Sequence, residues 1–367
     1  MTLPLHTNYG GILQAYALQT VLERMGHDVV VFDRPYKFNI SFFFKLFAYP
    51  KRFLIKYTLR KNVVIKWEKL ANYNNSQIRK FTQLFIDEHI HRLEYSKLRN
   101  LRKQDFDVII VGSDQIWRPK YFPNIYGAFL DFTNKWKIKR IAYAPSFGVD
   151  NWEYNEMQTE KCKNLLMQFD AVSVREQSGV VMCRNFLNYD AEWVLDPTML
   201  LQVEDYVKLF KDSKTPHSDG TLLNYILDSN EENCALINQI VKYTNYKPFR
   251  TNSRVEDVTA SLEERVQPPV EQWLRGFYDA KFVVTDSFHA CVFSILFKKQ
   301  FVVFVNKTRG ISRIESLLGY LGLEKRIVRN TSDVLNLDDI DYGDVYKRLD
   351  EMRKKSFDFL ENSLRGR

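Results

Sequence analysis

The 367-residue chain is longer than one hydrophobic core usually serves, so two domains are the default expectation. With 45% hydrophobic and 27% charged residues it has an ordinary globular composition, and no run approaches the roughly 20 apolar residues that span a bilayer. Four scattered cysteines, Cys162, Cys183, Cys234 and Cys291, lack the short spacings of a zinc site or disulfide framework, and the N-terminus lacks a signal pattern, so a cytoplasmic protein is predicted. A net charge of +8 suits nucleic acid, an anionic membrane face or anionic substrates, and only its position along the chain discriminates among them.

The chain opens on a very short extended run, Met1 to His6, followed by HTNYGG and an apolar-periodic helix over 12–25 that Gly26 terminates. HDVVVFDRP reads as a strand ending at Pro35, which completes a strand-helix-strand unit. Its first strand is so short that the native chain is expected to begin further upstream. Between about 36 and 80, SFFFKLFAYPKRFLIKYTLRKNVVIKWEKL interleaves aromatic and aliphatic residues with lysine and arginine and carries much of the positive excess. Such a segment either lies on a membrane surface, apolar face down, or packs on the domain as a helical insertion with a solvated basic face. No recognition motif accompanies the charge, so nucleic acid is not an expected partner.

FDVIIVGSDQIW then reads as a buried strand ending in Gly112 and polar residues, and IKRIAYAPSFG repeats that design over 138–148. A helix is predicted over 155–169, and DAVSVREQS supplies another strand with polar residues at its carboxyl end. EWVLDPTMLL brings the chain to about Leu201, where a linker divides an N-terminal domain over 1–200 from a C-terminal one over 201–367. The second half restarts the alternation with TLLNYILD, a helix over 231–244 and a strand near 247–250. VEQWLRGFYDA as helix, KFVVTDSFHA as strand and turn, CVFSILFKK as helix and QFVVFVN as strand follow. An amphipathic tail from Asp341 to Leu364 is placed to pack back on the first domain. The alternation predicts an α/β fold: two Rossmann-like domains with parallel sheets facing a cleft. Ligands of such sheets bind beyond the carboxyl ends of the strands, so polar residues just after strands carry the functional expectation.

His289 follows VVTDSF and begins a helix whose N-terminal amides favour an anion, so its imidazole is placed to donate a proton or to meet a phosphate or carboxylate. A structural histidine on a backbone carbonyl is the plain alternative, disfavoured by the polar company of Asp286 and Ser287. Arg175, in VSVREQS, can grip a carboxylate or phosphate with two parallel hydrogen bonds, or pair with Glu176 or a surface acid. Asp114, in VGSDQIW, serves either as base or orienting group for a sugar hydroxyl or as the N-cap of the next helix. Gln115 and Trp117 stand beside it, and the indole could stack on a sugar ring. HTNYGG lacks both the spacing of a dinucleotide fingerprint and the lysine of a phosphate-binding loop, but its glycines permit close backbone approach. Asn8 and Gln14 then face the cleft or act as turn and cap residues. Arg309 and Arg313, around Gly310 in NKTRGISRIESLL, form a basic turn suited to an anion or to interdomain ion pairs. No cluster has metal-ligand spacing, and no GxSxG elbow is present.

Taken in order, NYGGILQAYALQ, DVIIVGSDQIW, YAPSFG, SVRE, VLDPTMLL and TDSFHACVFSILFKKQFVVF resemble the polysaccharide pyruvyl transferases. The resemblance implies a fold like that of the two-domain GT-B glycosyltransferases. It also implies transfer of a pyruvyl group from phosphoenolpyruvate to a pair of sugar hydroxyls, forming a cyclic ketal in surface polysaccharide biosynthesis. Phosphoenolpyruvate is then a co-substrate, and no further cofactor is expected. By motif match, Arg175 and the turn of Ser287, Phe288 and His289 sit at the donor. Some members carry arginine and leucine in place of Ser287 and Phe288, so Arg309 and Arg313 are expected as further donor cations. Asn8, Gln14, Gln115 and Trp117 fall to the acceptor, a lipid-linked or nucleotide-activated sugar, with the enzyme peripheral on the inner face of the membrane. A nucleotide-sugar glycosyltransferase on the same architecture is the competing function.

Overall fold

Every strand pairing is parallel, in a computed structural model that describes residues 1–34, 37–95, 97–306, 310–329, 333–334 and 337–365. Parallel neighbours need crossovers, and helices supply them, so the α/β class expected from the alternation is the class observed. In the first half, β1 (Val31–Asp33) pairs with β2 (Arg92–Glu94). β3 (Val108–Val111), β4 (Lys139–Ala142), β5 (Ala171–Val174) and β6 (Glu192–Trp193) form a second sheet in that order. The second half holds one five-stranded sheet of β7 (Leu222–Tyr225), β8 (Pro248–Phe249), β9 (Phe282–Thr285), β10 (Gln300–Phe304) and β11 (Ile327–Val328), ordered β11-β10-β9-β7-β8. The order reverses between β7 and β9, which opens a crevice at their carboxyl ends.

Three expectations are corrected. Residues 1–6 form no strand; instead the Met1 carbonyl accepts the Gly112 amide at 2.9 Å and the Leu5 amide donates to Asp33 at 3.2 Å. The first helix starts at Tyr9 rather than Ile12, because the Asn8 side chain accepts the Gly11 amide and caps it. Pro35, the expected end of the first strand, lies outside the described residues. The strand near 247–250 shortens to two residues, and β2, β6 and β11 are short additions.

Apolar patterning explains the layers. The Phe288–Leu296 helix, FHACVFSIL, is apolar nearly all round, and all nine residues are buried beneath β9 and β10. Tyr9, from the first half, stacks on Trp273 of the second with ring centroids 5.4 Å apart, and its hydroxyl donates to the Pro268 carbonyl at 2.7 Å. The terminal helix, Tyr342–Leu364, touches both halves. Its Tyr346 hydroxyl donates to the Leu296 carbonyl at 2.7 Å, its Arg353 donates to the Met199 carbonyl at 2.7 Å, and its Ser356 accepts the Leu195 amide at 3.0 Å. Among the described residues no helix is long and apolar enough to cross a membrane.

Candidate active site

A cavity of about 840 Å³ lies between the two halves, at the carboxyl ends of the strands. Asn8, Gly10, Asp114 and Gln115 line it from the first half, and Asp228, Arg250, Ser287, Phe288, His289 and Arg313 from the second. The close approach of the halves depends on one glycine. A Cβ added at Gly10 would sit 2.0 Å from His289 Nδ1, so the first turn of the Tyr9–Arg24 helix lies directly against the imidazole. A second glycine, Gly112, ends β3 at φ 124° with its α-carbon against the Tyr143 carbonyl, and this turns the chain so that Asp114 reaches the cleft.

Behind that wall lies a buried charge cluster. Arg175, its side chain fully buried, donates to Asp196 Oδ2 at 2.6 Å and to Asp114 Oδ1 at 3.1 Å, with Glu176 Oε2 4.0 Å from its Nε. Asp196 also accepts from the Thr198 amide and hydroxyl, at 3.0 and 2.7 Å, and from the Ser113 hydroxyl at 3.2 Å. His289 Nε2 stands 3.6 Å from Asp196 Oδ2, at ion-pair rather than hydrogen-bond distance. Burial works against ionising Asp196, yet the His289 imidazole, the Arg175 guanidinium and the Thr198 hydroxyl hold its carboxyl well below the usual carboxylate range. Burial likewise opposes charge on Arg175, but Asp196, Asp114 and Glu176 together raise it further. Glu176 goes the other way: burial raises its carboxyl in spite of Arg175, Arg313 and bonds from the Ser146 hydroxyl and the Phe147 amide.

The second half presents a more open wall. Asp286, after β9, accepts the Leu227 and Asp228 amides at 2.8 and 3.1 Å and the Asn306 side-chain amide at 3.0 Å, which pins together the strand ends at the point of order reversal. Phe288 lies between two cations, with the Arg175 guanidinium 4.5 Å and the Arg313 guanidinium 5.6 Å from its ring centroid. Burial, with the charge of Arg175 against it, pulls Arg313 down to about 10, so it remains a cation at neutral pH. Arg250, exposed at the rim, donates to the Ile226 carbonyl at 3.2 Å.

The residues expected from sequence divide accordingly. Asn8, Asp114, Gln115, Ser287, Phe288, His289 and Arg313 are brought to one cleft. Arg175 is not at its surface: two carboxylates occupy its fork, so it positions Asp114 and Asp196 rather than gripping a ligand. Gln14 is also withdrawn, since its amide donates to Thr2 and the Gly11 carbonyl while its oxygen accepts the Ser113 amide. Trp117 is fully buried with its indole stacked on Phe129 at 4.7 Å and its N–H on the Ala128 carbonyl, which leaves no ring face for a sugar. Arg309 lies outside the described residues. Asp114 caps no helix of the kind expected; it sits at φ 62°, and Ser146 donates its amide to the Asp114 carbonyl. The close approach expected of the HTNYGG glycines is the one Gly10 makes, whereas Asp196, Asp228 and Arg250 are not among the expected site residues, although the strand-end rule applies to the last two as it does to His289. Among the described residues no group of three histidine, cysteine or carboxylate side chains could hold a metal ion.

Comparison with solved structures gives distant likenesses. A glycosyltransferase from Rickettsia africae is 10% identical, with 100% of this chain and 98% of that chain covered at a TM-score of 0.47. A putative UDP-N-acetylglucosamine 2-epimerase from Listeria monocytogenes is 9% identical over 98% and 89% of the two chains, at a TM-score of 0.48. A functionally uncharacterized protein from Klebsiella pneumoniae is 14% identical over 70% and 87%, at 0.40. No curated protein matches the chain. The sequence model described as polysaccharide pyruvyl transferase matches residues 8–308, a span that runs from the cap of the first helix past β10 and takes in Gly10, Asp114, Asp196 and His289. That span is most of the chain and holds most of the residues that line the cleft, and the protein belongs to the polysaccharide pyruvyl transferase family.

Proposed function

We propose that the cleft transfers the pyruvyl group of phosphoenolpyruvate to two hydroxyls of one sugar, with inorganic phosphate leaving and a cyclic ketal as product. The observation that carries this reading is the pairing of His289, at the cleft surface, with Asp196, fully buried behind it and held ionised. A carboxylate behind the imidazole, at ion-pair distance, orients the ring for proton transfer at the cleft surface, the task of a general acid toward an enol methylene.

In this mechanism His289 gives its proton to the methylene carbon, which becomes a methyl group, and positive charge develops at the adjacent carbon. One sugar hydroxyl adds there and loses its proton toward Asp114, one of whose oxygens is fixed by Arg175. The bond from that carbon to the phosphate oxygen breaks, the departing phosphate taking the proton held by Asp114, and the second hydroxyl adds and passes its proton to His289, which restores both groups. Arg313, Arg250 and the amides opening the Phe288–Leu296 helix supply the positive field that a polyanionic donor requires. An anion between Phe288 and the rim would also relieve the mutual repulsion of Arg175 and Arg313.

The test is calorimetric titration of the purified chain with phosphoenolpyruvate and, separately, with UDP- and GDP-sugars, followed by a phosphate-release assay with glycan acceptors. Binding of phosphoenolpyruvate, with phosphate release that depends on acceptor, is the expected result. Heat only with the nucleotide sugars would replace this reading with a glycosyl transfer.

A further inference from the structure

The segment that connects β1 to β2 begins with a helix turned inside out. The Phe42–Thr58 helix has no buried residue, and most of its large apolar side chains are exposed, Phe42 at 71%, Phe43 at 74% and Phe47 at 75%. At about 100° per residue, Phe42, Leu46, Phe53 and Tyr57 form one row, and Phe43, Phe47 and Leu54 form the next. All seven are exposed, as is Phe44, whereas Lys45, Ala48, Tyr49, Arg52 and Ile55 are half-buried on the side turned to the protein. Arg52 fixes that orientation by bonding inward to the buried Glu68 of the Trp67–Ile78 helix, at 2.9 and 2.8 Å, and to the Ile65 carbonyl at 3.1 Å. The usual arrangement, apolar face on the body and cations outward, is therefore reversed.

What covers this face is decided by charge. Residues 37–66 contain eight lysines and arginines and no acid, a local excess equal to the +8 of the entire chain. On the helix, the exposed Lys51 and Lys56 flank the apolar rows on opposite sides. A broad, convex aromatic face with cations along both margins matches a bilayer interface, where rings enter the acyl boundary and ammonium groups rest among anionic head groups. An acidic protein groove would have to match both features along more than four turns of a helix.

We propose that this helix docks the protein on an anionic lipid surface, lying in the interface plane with its two phenylalanine rows down. The placement bears on the cleft, because the same insertion borders its rim. The Ile78 carbonyl accepts the amide of Gln267, and Gln267, a cleft-lining residue, donates its side-chain amide to the Thr7 carbonyl. The proposal stands on the insertion alone and is independent of the reaction assigned to the cleft.

The test is co-sedimentation of the full chain with vesicles of phosphatidylcholine alone and of phosphatidylcholine with phosphatidylglycerol, at low and high salt. Partitioning is expected into the anionic vesicles, weakened at least roughly tenfold by high salt or by omission of the anionic lipid. The double variant F43S/F47S, at positions exposed to solvent, and the charge variant K51E/K56E are each expected to lower partitioning by roughly tenfold while the thermal unfolding midpoint is unchanged. Equal partitioning of wild type and both variants, or none of the wild type into anionic vesicles, overturns the proposal. So does a dimer in solution that F43S/F47S dissolves without any vesicle binding by the wild type, which would make the face a contact between copies.

Discussion

The two walls of the cleft solve the same problem, holding charge at a strand edge, in opposite ways. The wall of the first half satisfies its charges internally: Arg175 is shared by Asp114 and Asp196, and Asp196 accepts four hydrogen bonds besides lying beside His289. The wall of the second half satisfies Asp286 with amide donors and presents Ser287, Arg250 and the first turn of a buried helix to the cavity. A prepaid, rigid wall suits groups that must not move during a reaction, and an open one suits groups that receive a ligand's charge. His289 belongs to the open wall by chain and to the closed one by its partner, which is why it is the residue on which the comparison turns.

That contrast can be broken most forcefully at Asp196. Asp196→Ala would leave Arg175 buried with half of its compensation gone, and a loss of about 3–5 kcal/mol is expected in urea unfolding. A loss below about 1 kcal/mol would show that the first wall is not the rigid one. His289→Gln should leave the unfolding midpoint near that of the wild type and lower acceptor-dependent phosphate release by about 10²-fold or more. Unaltered release would remove His289 from proton transfer. Gly10→Ala places a methyl group against the imidazole ring, and about a tenfold fall in turnover is expected with the Kd for phosphoenolpyruvate little altered. Arg250→Met tests the open wall itself: a several-fold to roughly tenfold weaker Kd for phosphoenolpyruvate is expected in calorimetry, with stability unaffected. The smallest effect is one of pH. Because the folded-state pKa of Asp196 is depressed, its contribution to stability is complete above its ordinary value of 3.8 and is lost as pH falls below that value. Thermal unfolding from pH 6 to 3 should therefore steepen near the acid end in the wild type and be flatter in Asp196→Asn.

Much of the architecture was legible because long apolar runs such as VIIV, FVVT and QFVVF have nowhere to lie except in a sheet buried on both faces. The elements that escaped reading, RLE, EW and IV, are two or three residues long, and neighbours rather than local preference make them strands. In the site, the rule that polar residues follow strands found His289, Asp114 and Ser287. It could not tell which way a side chain turns after the strand ends, so Arg175 and Trp117, both of which turn inward, were assigned to ligands. Asp196 escaped for a related reason, since a carboxylate satisfied entirely by protein donors leaves no trace in its own sequence neighbourhood beyond the proline after it. The reversed helix was legible in composition, and its direction was not: only the inward bond of Arg52 to Glu68 decides which face meets solvent.

The Tyr342–Leu364 helix limits how the cleft can open. Its tyrosines are anchored to the carbonyls of Leu296 and Lys299 at one end, and its second half to Leu195, Met199 and Lys139 at the other. A long helix resists stretching far more than twisting about its own axis, so a motion that pulls the halves straight apart would have to break one set of anchors. Swinging of one half about the line of this helix breaks neither. Rotation about that line acts instead on the other ties across the cleft, the Tyr9 hydroxyl on the Pro268 carbonyl and the Gln267 side-chain amide on the Thr7 carbonyl.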